Sequence, residues 1–356
     1  MQAILLIPGT GSQFHLGETG LDDSSDLLHS DTLFSALANV YEFALSGART
    51  FIDLVGNGKL SFSSGLYAML KKNSQEPPLL FLPKPTVTYR NVEDRKRYKS
   101  IKYFSLGVWE KFRSTFNAVS FVSELEFVDP KLFTIGNEFI CFEKELGPCP
   151  EAFKNHSFRG FATSPKVKVH TTLTEDRLYH ETAVQFNSFF VCDQEYEGAY
   201  CVLLRSDLTC EQYRELLAAF RIMADEGVGG QRSSGKGQFR EVREVTIEIP
   251  CSGEATSYLG LSIISPADYN EFKAMEKYEL FIRGGGSLGM RGNSEEHRKQ
   301  ARFVKEGALL RREIKGRIVD VSPDKLSDTC DTIQSNVTQV EESPILRNGK
   351  NFAIPI

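Results

Sequence analysis

The sequence lacks any apolar run near the roughly 18 residues that a membrane span needs. Its first apolar stretch, Gln2 to Ile7, is too short for a signal h-region and has no basic start. A membrane anchor and export are therefore not expected, and the chain reads as soluble and cytoplasmic. Cysteine is sparse and unpatterned. The seven residues include no CxxC pair, and the equal spacing of Cys192, Cys201 and Cys210 has no second pair or suitable histidine beside it. A structural zinc site and a disulfide framework are thus not expected, and the thiols fit a reducing cytosol. Charge of one sign is lacking too. A formal net charge of −5 argues against a general nucleic-acid coat held by global charge, while leaving room for a local basic groove. No repeat of 20–50 residues is visible, which speaks against a solenoid.

What is present is an aromatic-rich globular chain. The 356 residues suit one enlarged domain or two modest ones, and a 41% hydrophobic share supports a real core. Phenylalanine and tyrosine (26 and 12) far outnumber the single tryptophan, as in aromatic sheets. Gln2 to Ile7 reads as a short buried strand. A polar loop follows, and then Ser30 or Asp31 is placed to cap a helix carrying Leu33, Leu37, Val40, Tyr41 and Ala44 at helical spacing. Lys59 to Phe62 alternates like a strand. Lys71 to Pro85, punctuated by prolines, reads as a loop. A helical piece falls near Val108 to Phe116. Val167 to Thr171 alternates, TEDR (174–177) reads as an exposed loop, and Tyr179 to Phe190 with Ala199 to Arg205 reads as a strand hairpin. Glu211 to Glu226 predicts an amphipathic helix, and Arg240 to Ile249 a strand. Strands at Tyr258 to Ile264 and Tyr278 to Arg283 flank a helix near Asp268 to Met275. The order strand–helix–strand, insertion, strand–helix–strand is a ferredoxin-like pattern, an α+β class. Domains are expected at 1–250 and 251–325, with a loose polar tail over 326–356.

The most specific local feature is the glycine-rich loop GVGGQRSSGKGQF (227–239). Gly230, Gly235 and Lys236 match most of a phosphate-binding P-loop, but Gly237 stands where a Ser or Thr should hold Mg²⁺. The order here is also helix–loop–strand, the reverse of a P-loop. Nucleotide hydrolysis is therefore not the reading. Five glycines beside Arg232 and Lys236 still suit close approach to an anion. A turn that merely closes the helix onto the strand is the other reading. His15 or His29 could serve as the base of metal-independent RNA cleavage, or each could be an ordinary loop histidine. Asp31 could hold a metal or simply cap its helix. The basic aromatic run 90–104 suits base stacking as well as it suits a solvated face or one docked onto another protein. RGGGSLGMRG (283–292) is a second glycine-basic loop, open to binding RNA backbone or to being a mobile segment.

Four blocks carry a resemblance. They are FHLGETGLDDSSDLLHSDTLFSAL (14–37), VHTTLTEDRLYHETAVQF (169–186), the loop 227–239, and FVKEGALLRREIKGRIVDVSP (303–323). Together they resemble the fourth subunit of the type III-A CRISPR Csm effector complex, within the RAMP superfamily. The glycine loop alone would indicate only the superfamily.

The resemblance implies a ferredoxin-like (RRM-like) RAMP fold with large insertions, a thumb hairpin, and a second smaller ferredoxin-like unit. It implies a non-catalytic subunit of antiviral defence that grips the 5′ repeat-derived tag of the guide crRNA. Its partners would be that RNA and the target duplex, the large polymerase-cyclase subunit, and the backbone subunits. No cofactor or metal is implied. The expected RNA contacts are Ser12, His15, Arg232, Ser233, Ser234 and Lys236, with Arg283 and Arg291 behind them. Thumb residues Leu173, Thr174, Glu175 and Arg177 should lie near the guide. The alternative within the superfamily is a metal-independent endoribonuclease that processes guide RNA.

Overall fold

The structure, a computed structural model, describes residues 1–16, 24–90, 95–127, 129–168, 177–250, 255–284, 286–288, 295–323 and 344–356. Six elements frame it: β1 (Gln2–Pro8), α1 (Ser30–Ala44), β2 (Leu66–Lys71), β3 (Gln194–Ser206), α2 (Cys210–Glu226) and β4 (Phe239–Thr246). The four strands lie in the order β2–β3–β1–β4, and each neighbouring pair is antiparallel. β1 is an unbroken apolar run because both its faces are covered.

Side-chain alternation in these strands feeds two cores. Ile4, Leu6, Tyr67, Met69, Tyr200 and Val202 face α1 and α2, meeting Phe34, Tyr41, Leu216 and Phe220. Leu5, Ile7, Ala68, Leu70, Cys201 and Leu203 face the other way, toward Trp109, Phe112 and residues of the C-terminal unit such as Phe352 and Ile354. The sheet is thus a shared wall. α2 starts on a capping box, with Thr209 Oγ1 accepting from Gln212 N at 3.2 Å and the Gln212 side chain accepting from Thr209 N at 3.1 Å.

Several sequence expectations change. The cap of α1 is His29, and neither Ser30 nor Asp31 caps it. Ser30 N–H goes to Ser64 Oγ instead, and Asp31 turns its carboxylate to two arginines. The stretch 71–85 is not all loop. Leu79–Pro83 is a strand beside β2, with Leu80, Phe81 and Leu82 fully buried. Prolines on both sides masked a four-residue apolar run too short to show a period. The sheet then continues through Tyr103–Ser105, Phe139–Phe142 and Leu132–Ile135. The basic aromatic run therefore does not present its rings for stacking. Tyr103 and Phe104 are buried in the sheet, and Tyr98 packs on Tyr89 and Phe127.

The expected hairpin partners also differ. Arg177–Phe186 pairs with Arg159–Lys168 over ten residue pairs, and Ser188–Val191 is what turns back onto β3. Of the expected tail 326–356, residues 326–343 lie outside the described residues, and the remainder is paired and buried. Leu346–Lys350 pairs with Gly316–Asp320, and Ala353–Pro355 pairs with Tyr258–Gly260. Its apolar residues Phe352 and Ile354 are wholly buried, which a polar tail would not allow. In that C-terminal unit, the strands Met275–Lys277, Leu309–Leu310, Tyr258–Gly260 and Ala353–Pro355 form one sheet. Among the described residues, no helix is long and apolar enough to cross a membrane.

Candidate nucleic-acid interface

The glycine-rich loop leaves the end of α2 and folds back over the strand Gln13–Phe14 that follows β1. Gly230 N–H donates to His15 O at 2.8 Å, Gly237 N–H to Gln13 O at 2.9 Å, and Val228 N–H to Gly237 O at 3.0 Å. These backbone contacts demand glycine. Gly229 (φ +84°) and Gly237 (φ +85°) lie in the left-handed region, and a Cβ on them would strike His15 O and Val228 O respectively. Pinned at both ends, the loop lifts a short turn, Arg232–Ser234, into solvent. Arg232, Ser233 and Ser234 are all exposed.

The same anchor holds the hairpin. Gln13–Phe14 pairs with Val184 and Gln185 of the strand Arg177–Phe186. His15 is buried, and its Nδ1 lies 2.9 Å from Thr182 O. Lys236 Nζ sits 2.5 Å from Glu181 Oε1, and that carboxylate is almost fully buried. Phe14 packs among Phe186, Tyr200 and Phe239. At the far corner, Arg159 donates through Nε to Tyr67 Oη at 3.0 Å, pairs with Glu138, and lies 4.3 Å under the Phe161 ring. The ten paired residues make a stem of about 30 Å. The facing pair Val167 and Leu178 is largely exposed on it.

The expected residues therefore divide. Arg232, Ser233 and Ser234 stand together in solvent. Ser12 is half-buried in the tight turn from Gly9, and its carbonyl accepts from Phe186 N at 3.1 Å. His15 and Lys236 are brought to the loop, but as struts to the hairpin and not as open groups. The sequence reading missed Glu181, because nothing local marks a carboxylate whose partner lies 55 residues away. Arg283 is a correction. Its guanidinium is buried, donating to both Asp31 oxygens at 2.8 and 3.0 Å and to Thr32 Oγ1 at 2.9 Å, so as placed it reaches no phosphate in solvent. Arg291, Leu173, Thr174 and Glu175 fall outside the described residues, as does the side chain of Arg177.

Two buried polar bridges tie α1 to the C-terminal unit. Burial pushes the Asp31 carboxyl up, but Arg283 and Arg347 outweigh it and hold it at about 2. His29 Nδ1 lies 2.8 Å from Glu306 Oε1, and its Nε2 lies 2.9 Å from Ser25 Oγ. Burial likewise pushes Glu306 up, and His29 and Ser64 bring it below its ordinary value. Both histidines considered as bases are thus engaged. Among the described residues, no group of three or more His, Cys, Asp or Glu side chains is placed to hold a metal.

Fold and interface together define an α+β protein with a glycine-rich loop braced against a projecting hairpin. Comparison with known proteins shows what the chain resembles. Residues 253–356 match the family described as the CRISPR Csm4 C-terminal domain. The whole chain is 24% identical over 382 residues to a protein of Methanocaldococcus jannaschii named CRISPR system Cms protein Csm4, covering 97% of that protein. Among solved structures, a chain of the Csm3–Csm4 subcomplex of the type III-A CRISPR-Cas interference complex superposes with a TM-score of 0.65 at 18% identity, covering 100% of this chain and 99% of that one. A chain of the Csm1–Csm4 cassette in complex with cA4 gives a TM-score of 0.52 at 15% identity, covering 100% and 97%. The C-terminal unit thus matches the Csm4 C-terminal domain family, and over its whole length the chain is similar to the Csm4 protein of Methanocaldococcus jannaschii.

Proposed function

We propose that this chain is the non-catalytic guide-RNA-binding subunit of a type III-A CRISPR effector complex. It grips the 5′ repeat-derived tag of the crRNA and links the large polymerase-cyclase subunit to the backbone subunits. The observation that carries the reading is the exposed Arg232–Ser234 turn, held over a rigid base and beside a long hairpin. Arg232 meets the RNA backbone directly, with Ser233 and Ser234 donating beside it. Ser12, His15 and Lys236 fix the geometry of that turn. The hairpin acts as a thumb. Its exposed apolar pair, Val167 and Leu178, suits wedging against unstacked bases, at a cost of a few kcal/mol per step.

The matched structures pair Csm4 with Csm3 and with Csm1, which supports the corresponding partners here. The sheet order β2–β3–β1–β4 with both helices on one face supports a ferredoxin-like RAMP fold for the N-terminal part, and the described residues from 255 onward make the smaller second unit. The competing endoribonuclease reading loses its support at the histidines, since His15 is buried under the loop and His29 lies between Glu306 and Ser25.

The test is guide-RNA binding across a salt series. Arg232→Ala should weaken binding of all tagged RNAs and lower the salt slope by about one. An unchanged affinity and slope would remove the loop from the interface. Metal-free cleavage of repeat RNA, lost in His15→Ala or His29→Ala, would overturn the non-catalytic reading.

A further inference from the structure

β4 is the last strand of the central sheet, paired with β1 on its inner side. Among the described residues, no strand lies along its outer side. The bonding pattern fixes which of its groups face outward. The amino group of Met1 donates to Ile247 O at 2.9 Å, and Ile247 N–H donates to Met1 O at 2.9 Å. Met1 and Ile247 are thus a mutually bonded pair, and such pairs alternate along an antiparallel ladder. In the observed register, Ala3–Val245, Leu5–Arg243 and Ile7–Glu241 are the bonded pairs. Val242, Glu244 and Thr246 therefore turn their N–H and C=O groups away from β1. Glu244 and Thr246 are exposed, and Val242 is half-buried. An open strand edge of this length is a template for pairing with another chain.

The side chains restrict what can pair there. Residues 240–245 run Arg-Glu-Val-Arg-Glu-Val. Outward groups must meet outward groups, so a second copy pairs antiparallel only with its two-fold axis through a single residue. An axis through Arg240, Glu241, Arg243 or Glu244 sets that residue against its own charge, which is destabilising. An axis through Phe239, Val245 or Thr246 brings no opposite charges together. The axis through Val242 does. It sets each Glu241 opposite the Arg243 of the second copy, with Arg240 opposite Glu244 at the ends. Glu241 and Arg243 already share one face, with Arg243 Nε 2.8 Å from Glu241 Oε1. A second copy would complete an alternating square of four charges and cover Val242. The end pairs add less, because Arg240 is held by Glu197 and Glu244 by Tyr213 Oη. We infer that the outer edge of β4 is an interface for a second copy of this chain, paired antiparallel about Val242 so that the central sheet continues from one copy into the other. This pairing involves neither RNA nor the glycine-rich loop.

The experiment is analytical ultracentrifugation of the RNA-free full chain over a concentration series at low and high salt. The native chain should show a monomer–dimer equilibrium that salt weakens, since the charge pairs lie at the surface. Arg243→Glu puts four carboxylates at the centre and should raise the dimer dissociation constant about tenfold or more. Adding Glu241→Arg to Arg243→Glu restores the alternation and should restore the dimer, a rescue that a folding defect would not show. Val242→Pro removes one outward N–H and leaves the ladder to β1 intact, so it should give a folded monomer. Circular dichroism checks that fold, and the charge swap stands as the test if this variant does not fold. Arg232→Ala should leave the equilibrium unchanged, so failure of the RNA reading and failure of this interface are distinguishable. A native chain that stays monomeric at every concentration overturns the interface. So does a dimer that persists unchanged in both Arg243→Glu and Val242→Pro.

Discussion

Asp31 shows how much a single residue carries here. The sequence marked it as a helix cap or a metal ligand, and it is neither. It is the shared counter-ion of Arg283 and Arg347, which approach from segments about 250 and 316 residues further along the chain. Removing it leaves buried cations unpaired, so Asp31→Asn should cost about 3–5 kcal/mol, read as a lower urea midpoint at pH 7. The pH dependence has a definite sign. The folded carboxyl is held at about 2 against an ordinary 3.8, so its stabilisation is present above about pH 4 and lost as pH falls toward 2. The stability gap between the native chain and Asp31→Asn should therefore narrow by about 2 kcal/mol over that window. A constant gap would show that the carboxylate charge is not what holds the arginines. Arg283 is the matching lesson. A glycine-basic stretch looks like an RNA contact in sequence, yet burial of its guanidinium spends that charge inside the protein.

At the scale of elements, the glycine loop and the hairpin behave as one device. The loop was legible because its glycines and cations are contiguous. Its bracing was not, because Lys236–Glu181 and His15–Thr182 join residues far apart in sequence. The glycines are not equivalent. Gly237→Ala should destabilise by about 3 kcal/mol, combining left-handed strain with a collision at Val228 O. Gly235→Ala, at φ +79° with open space around it, should cost only about 1 kcal/mol. Thermal unfolding of the two variants checks the order. Glu181→Gln breaks the strut and leaves Lys236 partly buried without its anion. Amide exchange in Arg177–Phe186 and in the loop should then quicken together. Faster exchange in the loop alone would mean that the two are not coupled.

At the scale of the whole molecule, the central sheet is a wall between two cores, and the end of the chain helps build the second. Deleting residues 346–356 removes Phe352 and Ile354, both wholly buried, together with Arg347. It should cost about 5 kcal/mol or more and expose the C-terminal unit to limited proteolysis. A truncated chain with native stability would restore the polar-tail reading. The sequence alone determined the buried first strand, the two amphipathic helices, the order of the framing elements and the glycine-basic loop. Each of these is written in neighbouring residues through hydrophobic period, capping or glycine content. It did not determine the outer strands, the pairing of the hairpin, the docking of the C-terminal segment, or which cations stay open. Those depend on groups brought together from opposite ends of the chain. That Lys236 and Arg283 are held inside the protein and Arg232 is exposed is decided only when folding has assigned each carboxylate its partner.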